Sequence, residues 1–333
     1  MRRIYPSVFG FRGSGKVLGS LLPLIGPLRP FCIGDLRKSA KGSSSKSSSA
    51  LTSLDGLEPQ IPLKKPSIAV EASRFIRKMR GGAQAHLIEA VDGSSYVVKF
   101  TNNPQHARIL INEWLASTVL RYLRVSTPDT AIVNISADFI HENPELHIQL
   151  ASRRAPAAPG QHFGSRFAGG GKAVYDQLPR TLLGSVANLL DFRGTLVADK
   201  WLGNTDSRQS VFVRVPSVNR KLAFSVQMID NGHAFDGGCW SFGDASACPP
   251  SVDGVYESVR GLDDFEPWLT LVATFPEAIL QAAFLQTPVS WRAGDTGAAF
   301  EILLDQLMRR RQRVSDLICA CRAQPANPFP KWL

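Results

Sequence analysis

Apolar and polar residues alternate through residues 72–80 (ASRFIRKMR), break at Gly81-Gly82-Ala83-Gln84-Ala85, and resume an extended pattern through 86–90 (HLIEA). Asp92-Gly93 is a strong hairpin turn, and 96–100 (YVVKF) is β-branched and aromatic. The chain thus reads strand, glycine loop, strand, tight turn, strand. A polar loop through Asn103-Pro104 leads into an amphipathic helix over 106–124, and 131–135 (AIVNI) and 146–150 (LHIQL) read as two further strands. The expected unit is an antiparallel sheet with one helix packed on it. A Gly/Pro/Ala-rich connector at 155–172 follows, then a mostly buried helix over 182–203 and short strands at 211–215 and 224–229. Residues 230–253 form a Gly-, Cys- and Pro-rich loop. From Phe265 the spacing is helical, with Phe300, Leu303, Leu307, Val314 and Ile318 on one face and the run 308–313 (MRRRQR) as a solvated face.

Composition divides the chain differently. The net charge is +10, yet residues 1–50 hold nine Lys/Arg and a single acid, so +8 lies there and +2 on the remaining 283 residues. A basic tail attracts phosphate non-specifically, whereas a nearly neutral body argues against a nucleic-acid-binding core. The Ser/Lys tract at 38–53 lacks the apolar residues that would offset its ordering entropy, so residues 1–65 read as a disordered leader. The apolar stretch at 17–28 contains two prolines and no A-x-A site, unlike a secretory signal. Gly10 to Lys16 has phosphate-loop spacing, but Val17 stands where a magnesium-binding hydroxyl is needed, which leaves a Gly-rich basic leader. No uninterrupted run of about 18 apolar residues is present, so no membrane-spanning helix is expected. Five cysteines without a CxxC pair suit a reducing, cytoplasmic setting rather than a disulfide or zinc scaffold.

Two positions in the first part carry chemistry. Lys99 lies inside YVVKF, on the sheet face it shares with Val97 and away from Val98 and Phe100. In the following helix Ile109, Glu113, Ala116 and Leu120 recur at i, i+4, i+7 and i+11, which puts a carboxylate on the stripe facing the sheet. An unpaired buried carboxylate costs on the order of several kcal/mol, and Lys99 is the cation at hand. Downstream, Asn204-Thr205-Asp206 precedes one strand, and Asp230-Asn231-Gly232 follows the next, 24 residues further on. An aspartate fixed at a strand end, with glycine nearby for a sharp turn, suits a divalent cation.

These segments, RGGAQAHLIEA, YVVKF, NEWLAS, DKWLGNTDSRQSVF and MIDNGHAF, with FEPWL as weaker support, resemble the HipA-like kinases of the protein-kinase-like superfamily. The Asp pair is also similar to that of type II phosphatidylinositol 4-kinases and secretory-pathway Fam-type kinases. The resemblance implies an α+β, bilobal protein-kinase-like fold. Its first lobe (66–152) would be an antiparallel sheet plus one helix, and its second (153–333) mainly helical. It further implies an ATP- and magnesium-dependent kinase acting on a protein Ser/Thr hydroxyl, together with a regulatory partner. A lipid or small-molecule kinase, or a nucleotide-binding pseudokinase, is the alternative. Carried over by position, Asp206 is the catalytic aspartate, Lys99 contacts the α/β phosphates, Glu113 locks that lysine, and Gly81, Gly82 and Ala83 cover the phosphates. Asp230 is the metal ligand. The second ligand of the family, an Asn five residues after the catalytic Asp, is replaced by Val211, and Gln209 offers an amide oxygen instead. In another register Asp199 is catalytic with Asn204 at that fifth position. His162 and His233 read as hydrogen-bonding loop residues, Cys239 and Cys248 as free thiols, and Arg208 as a substrate guide or a partner of loop acids.

Overall fold

The computed structural model describes residues 69–216, 222–242, 254–292, 294–324 and 327–333. The readings of residues 1–65, of Cys248 and of the distal half of the 230–253 loop lie outside these residues.

Strands β1 (Val70–Lys78), β2 (His86–Ala90) and β3 (Ser95–Lys99) form the expected meander, joined by the glycine loop and the Asp92-Gly93 turn. Helix α1 (Ile109–Tyr122) follows, then β4 (Thr130–Ile135), α2 (Ala137–Glu142), β5 (His147–Gln149), β6 (Arg154–Pro156) and β7 (Gly160–Arg166). The five strands β1, β2, β3, β7 and β4 close into a barrel, with β1 parallel to β4 and the other pairs antiparallel. The sheet expected to be wholly antiparallel is thereby corrected: it closes into a barrel, and one of its pairs is parallel. β5 pairs only with β6, outside the barrel. The residues read as a connector at 155–172 instead include β7, a barrel strand lying beyond residue 152. Gly164 has a steric reason: a Cβ there would come within 2.5 Å of Val133 Cγ2, where β7 passes between β3 and β4. Ile88, Val98, Phe100, Val133 and Ile135 fill one apolar core, and Val97 and Lys99 turn to the opposite face, as alternation along β3 requires.

The second part begins with β8 (Val174–Tyr175). Helix α3 (Asp191–Leu202), β9 (Gln209–Arg214) and β10 (Phe224–Ile229) follow, and β8, β9 and β10 make a three-stranded sheet. The helix expected from residue 182 starts at Asp191 because the preceding backbone is drawn to β10. Val186 bridges Phe224, and Asn188 bonds both backbone groups of Val226. α3 ends on Gly203 in the left-handed region (φ 59°). Helices α4 (Trp268–Ala273), α5 (Glu277–Gln286), α6 (Thr296–Arg310) and α7 (Val314–Arg322) complete the chain. They share a second, larger core with α1 and α3. The basic run at 308–313 is not wholly solvated. Arg310 is buried, with Nε donating to the Lys200 carbonyl at 3.0 Å and its guanidinium 5.0 Å from the Phe242 ring centre. Among the described residues, no helix is long and apolar enough to cross a membrane.

Candidate active site

The glycine loop, β3, α1, β9 and the segment after β10 converge on a cavity of about 800 Å³. Gly81, Gly82, Ala83, Lys99, Glu113, Asp206, Gln209 and Asp230, all singled out in the sequence, line it. Lys99 Nζ bonds Glu113 Oε1 and lies 2.7 Å from Asp230 Oδ1. Burial alone would lower the lysine pKa, but the two carboxylates outweigh it and raise the pKa above its ordinary value. Burial works against the Asp230 carboxylate too, yet Lys99, with Arg208 and His233 further off, holds its pKa below the usual range. Asp230 itself makes the turn, with φ of 60°. Gly232 serves close approach: a Cβ there would sit 2.7 Å from Ile109 Cγ1 and 3.6 Å from Glu113 Oε1.

Asp206 is half-buried, its backbone N–H held by Asn204 Oδ1 at 3.2 Å. Gln209 pairs in register with Ile229, the residue before Asp230, so both face the cavity from adjacent strands. Val211 also lines the wall and brings no polar atom. Asp199, the alternative catalytic residue, lies in α3 with its side chain 3% exposed, bonded by Arg208 and Asn204, and does not line the cavity. Arg208 is therefore a partner of a helix acid. His162 is on β7 rather than a loop: Nδ1 accepts from the Thr101 N–H at 3.2 Å, and Nε2 donates to the Ala158 carbonyl at 2.8 Å.

Sequence reasoning passed over Asn112. Fully buried on α1, it sets Nδ2 2.8–2.9 Å from the carbonyls of Gly232, Ala234 and Gly237, while Oδ1 accepts from Trp240 Nε1 at 2.7 Å. An amide within an apolar helix, one residue before Glu113, was the available signal. Gln84 was missed as well: its amide bonds both backbone groups of Gln149 at 2.7 Å and ties the glycine loop to β5.

A family model described as HipA-like kinase matches residues 72–245. The chain belongs to that family. This HipA-like kinase is therefore a phosphotransferase by class, and the matched span includes every cavity residue named above. Among solved structures it is similar to hydra Fam20 with sugar, at 12% identity and TM-score 0.52 over 78% of this chain and 89% of that one. It is also similar to the Helicobacter pylori proinflammatory kinase CtkA (12%, 0.46, 76% and 96%) and to the Golgi casein kinase with Mn/ADP bound (13%, 0.43, 77% and 73%). No curated protein sequence matches it.

Proposed function

We propose that this HipA-like kinase transfers the γ-phosphoryl group of ATP, with magnesium, to a Ser/Thr hydroxyl of a protein. The observation that carries the reading is Lys99, held by Glu113 and Asp230 inside a cavity that Asp206 and the glycine loop also line. In this reading the cleft lies between two lobes, β7 counting with the first. Ala85, Val97, Val211 and Met228 form the apolar slot for the base. Lys99 neutralises the α/β phosphates, and Gly81, Gly82 and Ala83 cover them with backbone N–H groups. Asp206 orients the acceptor hydroxyl and takes its proton as the new O–P bond forms and the bond to the β-phosphate oxygen breaks.

The donor set fits a hard cation brought in with the nucleotide. Asp230 and Gln209 offer oxygen ligands, and no group of three His, Cys, Asp or Glu suited to a metal occurs among the described residues. Magnesium, when bound, neutralises charge developing on the phosphate oxygens. The few cysteines support a cytoplasmic setting. Val211 favours one second reading, a nucleotide-binding protein without turnover.

The test is γ-labelled ATP and magnesium with lysate proteins and inositol lipids as acceptors. We expect label on protein Ser/Thr from wild type and at least ~10³-fold less from Asp206→Ala, with nucleotide Kd within about threefold. Label confined to lipid replaces the acceptor class. Thermal stabilisation by ATP with no label anywhere establishes the second reading.

A further inference from the structure

Five buried polar side chains form one hydrogen-bonded chain from α1 to the backbone of Asp206. Ser117 Oγ, one turn beyond Glu113, accepts from Asn231 Nδ2 at 3.3 Å. Asn231 Oδ1 accepts from Arg208 Nη1 at 2.7 Å. Arg208 Nε donates to Asp199 Oδ2 at 3.1 Å, and its Nη2 bonds the other oxygen of the same carboxylate. Asn204 Nδ2 donates to Asp199 Oδ1 at 3.2 Å, and Asn204 Oδ1 accepts the Asp206 N–H. Ser117, Asn231, Asp199 and Asn204 are at most 5% exposed, and the Arg208 side chain is 7% exposed.

A buried ion pair is weak evidence for stability, because apolar groups of equal volume often serve as well. What this network supplies is direction: its buried donors and acceptors are matched to one another, so the parts it joins are held in one relative position. The ends joined here are the helix that bears Glu113 and the loop that bears Asp206. Arg208 Nη1 also donates to the Ile229 carbonyl at 3.2 Å, which brings the Asp230 turn into the same frame. Arg208, Asp199 and Asn204 do not line the cavity.

We infer that Ser117, Asn231, Arg208, Asp199 and Asn204 are positioning residues that set Asp206 relative to the Lys99–Glu113–Asp230 cluster. The inference rests on the reading of Asp206 as the catalytic aspartate. Ser117→Ala removes one hydroxyl and is the mildest cut, while Asn231→Leu cuts the middle. Each is compared with wild type by transfer kcat, nucleotide Kd and amide hydrogen exchange in the peptide 203–208. We expect kcat to fall about tenfold with Kd within about twofold. Exchange in 203–208 should quicken about tenfold while that in β3 and α4 stays put. The double variant should lose no more than Asn231→Leu alone, since both cut the same chain. Unchanged exchange in 203–208, or a rise spread over the whole molecule, overturns the proposal. Absence of transfer by the wild type defeats the kinase reading alone, and the exchange data still decide whether α1 and the Asp206 loop are coupled.

Discussion

Lys99 is the residue on which charge balance in the cleft turns. Its ammonium offsets two carboxylates that α1 and the segment after β10 bring together, and neither acid has a closer cation. Lys99→Met leaves the buried Glu113 carboxylate and the partly exposed Asp230 carboxylate facing one another without their shared cation. We expect a stability loss of about 3–5 kcal/mol, the range for breaking one side of a buried ion pair. Nucleotide affinity should fall as well. Urea melts and a nucleotide titration check both, and an unchanged melting curve would show that the carboxylates escape to solvent. The pairing was legible beforehand because it needed only two periodicities, that of β3 for the lysine and that of α1 for the glutamate. The involvement of Asp230 with the same lysine was not, since nothing local relates residues 131 positions apart.

At the scale of elements, α1 does more than carry Glu113. Through Asn112 it holds the backbone of residues 232–240, where Phe235, Asp236 and Trp240 all adopt positive φ. Left-handed backbone at non-glycine residues persists only where the surroundings over-determine it. Asn112→Leu keeps the volume and strips the loop carbonyls of their donor. The expected cost is about 3 kcal/mol, from more than one unsatisfied buried group at ~1–3 kcal/mol each. The magnesium requirement for transfer should rise too, because Asp230 begins this loop. Calorimetry and a magnesium titration measure the two effects, and a normal magnesium dependence would separate the loop from the proposed metal site. The helix itself was legible from its spacing, but its buried amide reads as an error in the pattern until the loop it serves is in place.

For the whole molecule, two histidines inside the barrel predict acid lability. Burial pushes His86 and His162 down to about 4 from the ordinary 6.5. Protonation of His162 would place a hydrogen on Nδ1, against the Thr101 N–H. The unfolded chain takes up these protons first. Stability is therefore full above pH 6.5 and declines as pH falls toward 4, by on the order of 2–3 kcal/mol per histidine. Urea midpoints at pH 7.5, 5.5 and 4.5 should fall in that order, and His162→Gln should flatten the trend. A flat profile in the parent protein would mean that the barrel admits water to both rings. Neither ring is identifiable as buried from its own segment: His86 begins a strand, and His162 lies in a glycine- and alanine-rich stretch.

Local pattern by itself determined that β1, β2, β3, α1, β9 and β10 are strands and a helix near the cleft, though not β7, whose Phe163 and Ser165 also line it. It also determined which charged groups sit at strand ends or on a helix face, because side-chain direction repeats every 2 or 3.6 residues. Only the tertiary structure decided that β7 closes a barrel, that Asp199 pairs with Arg208, that Asn112 holds a loop more than a hundred residues away, and that Asn231 in that loop reaches back to Ser117 on α1. Those outcomes depend on which elements pack together, and short-range periodicity carries no record of that.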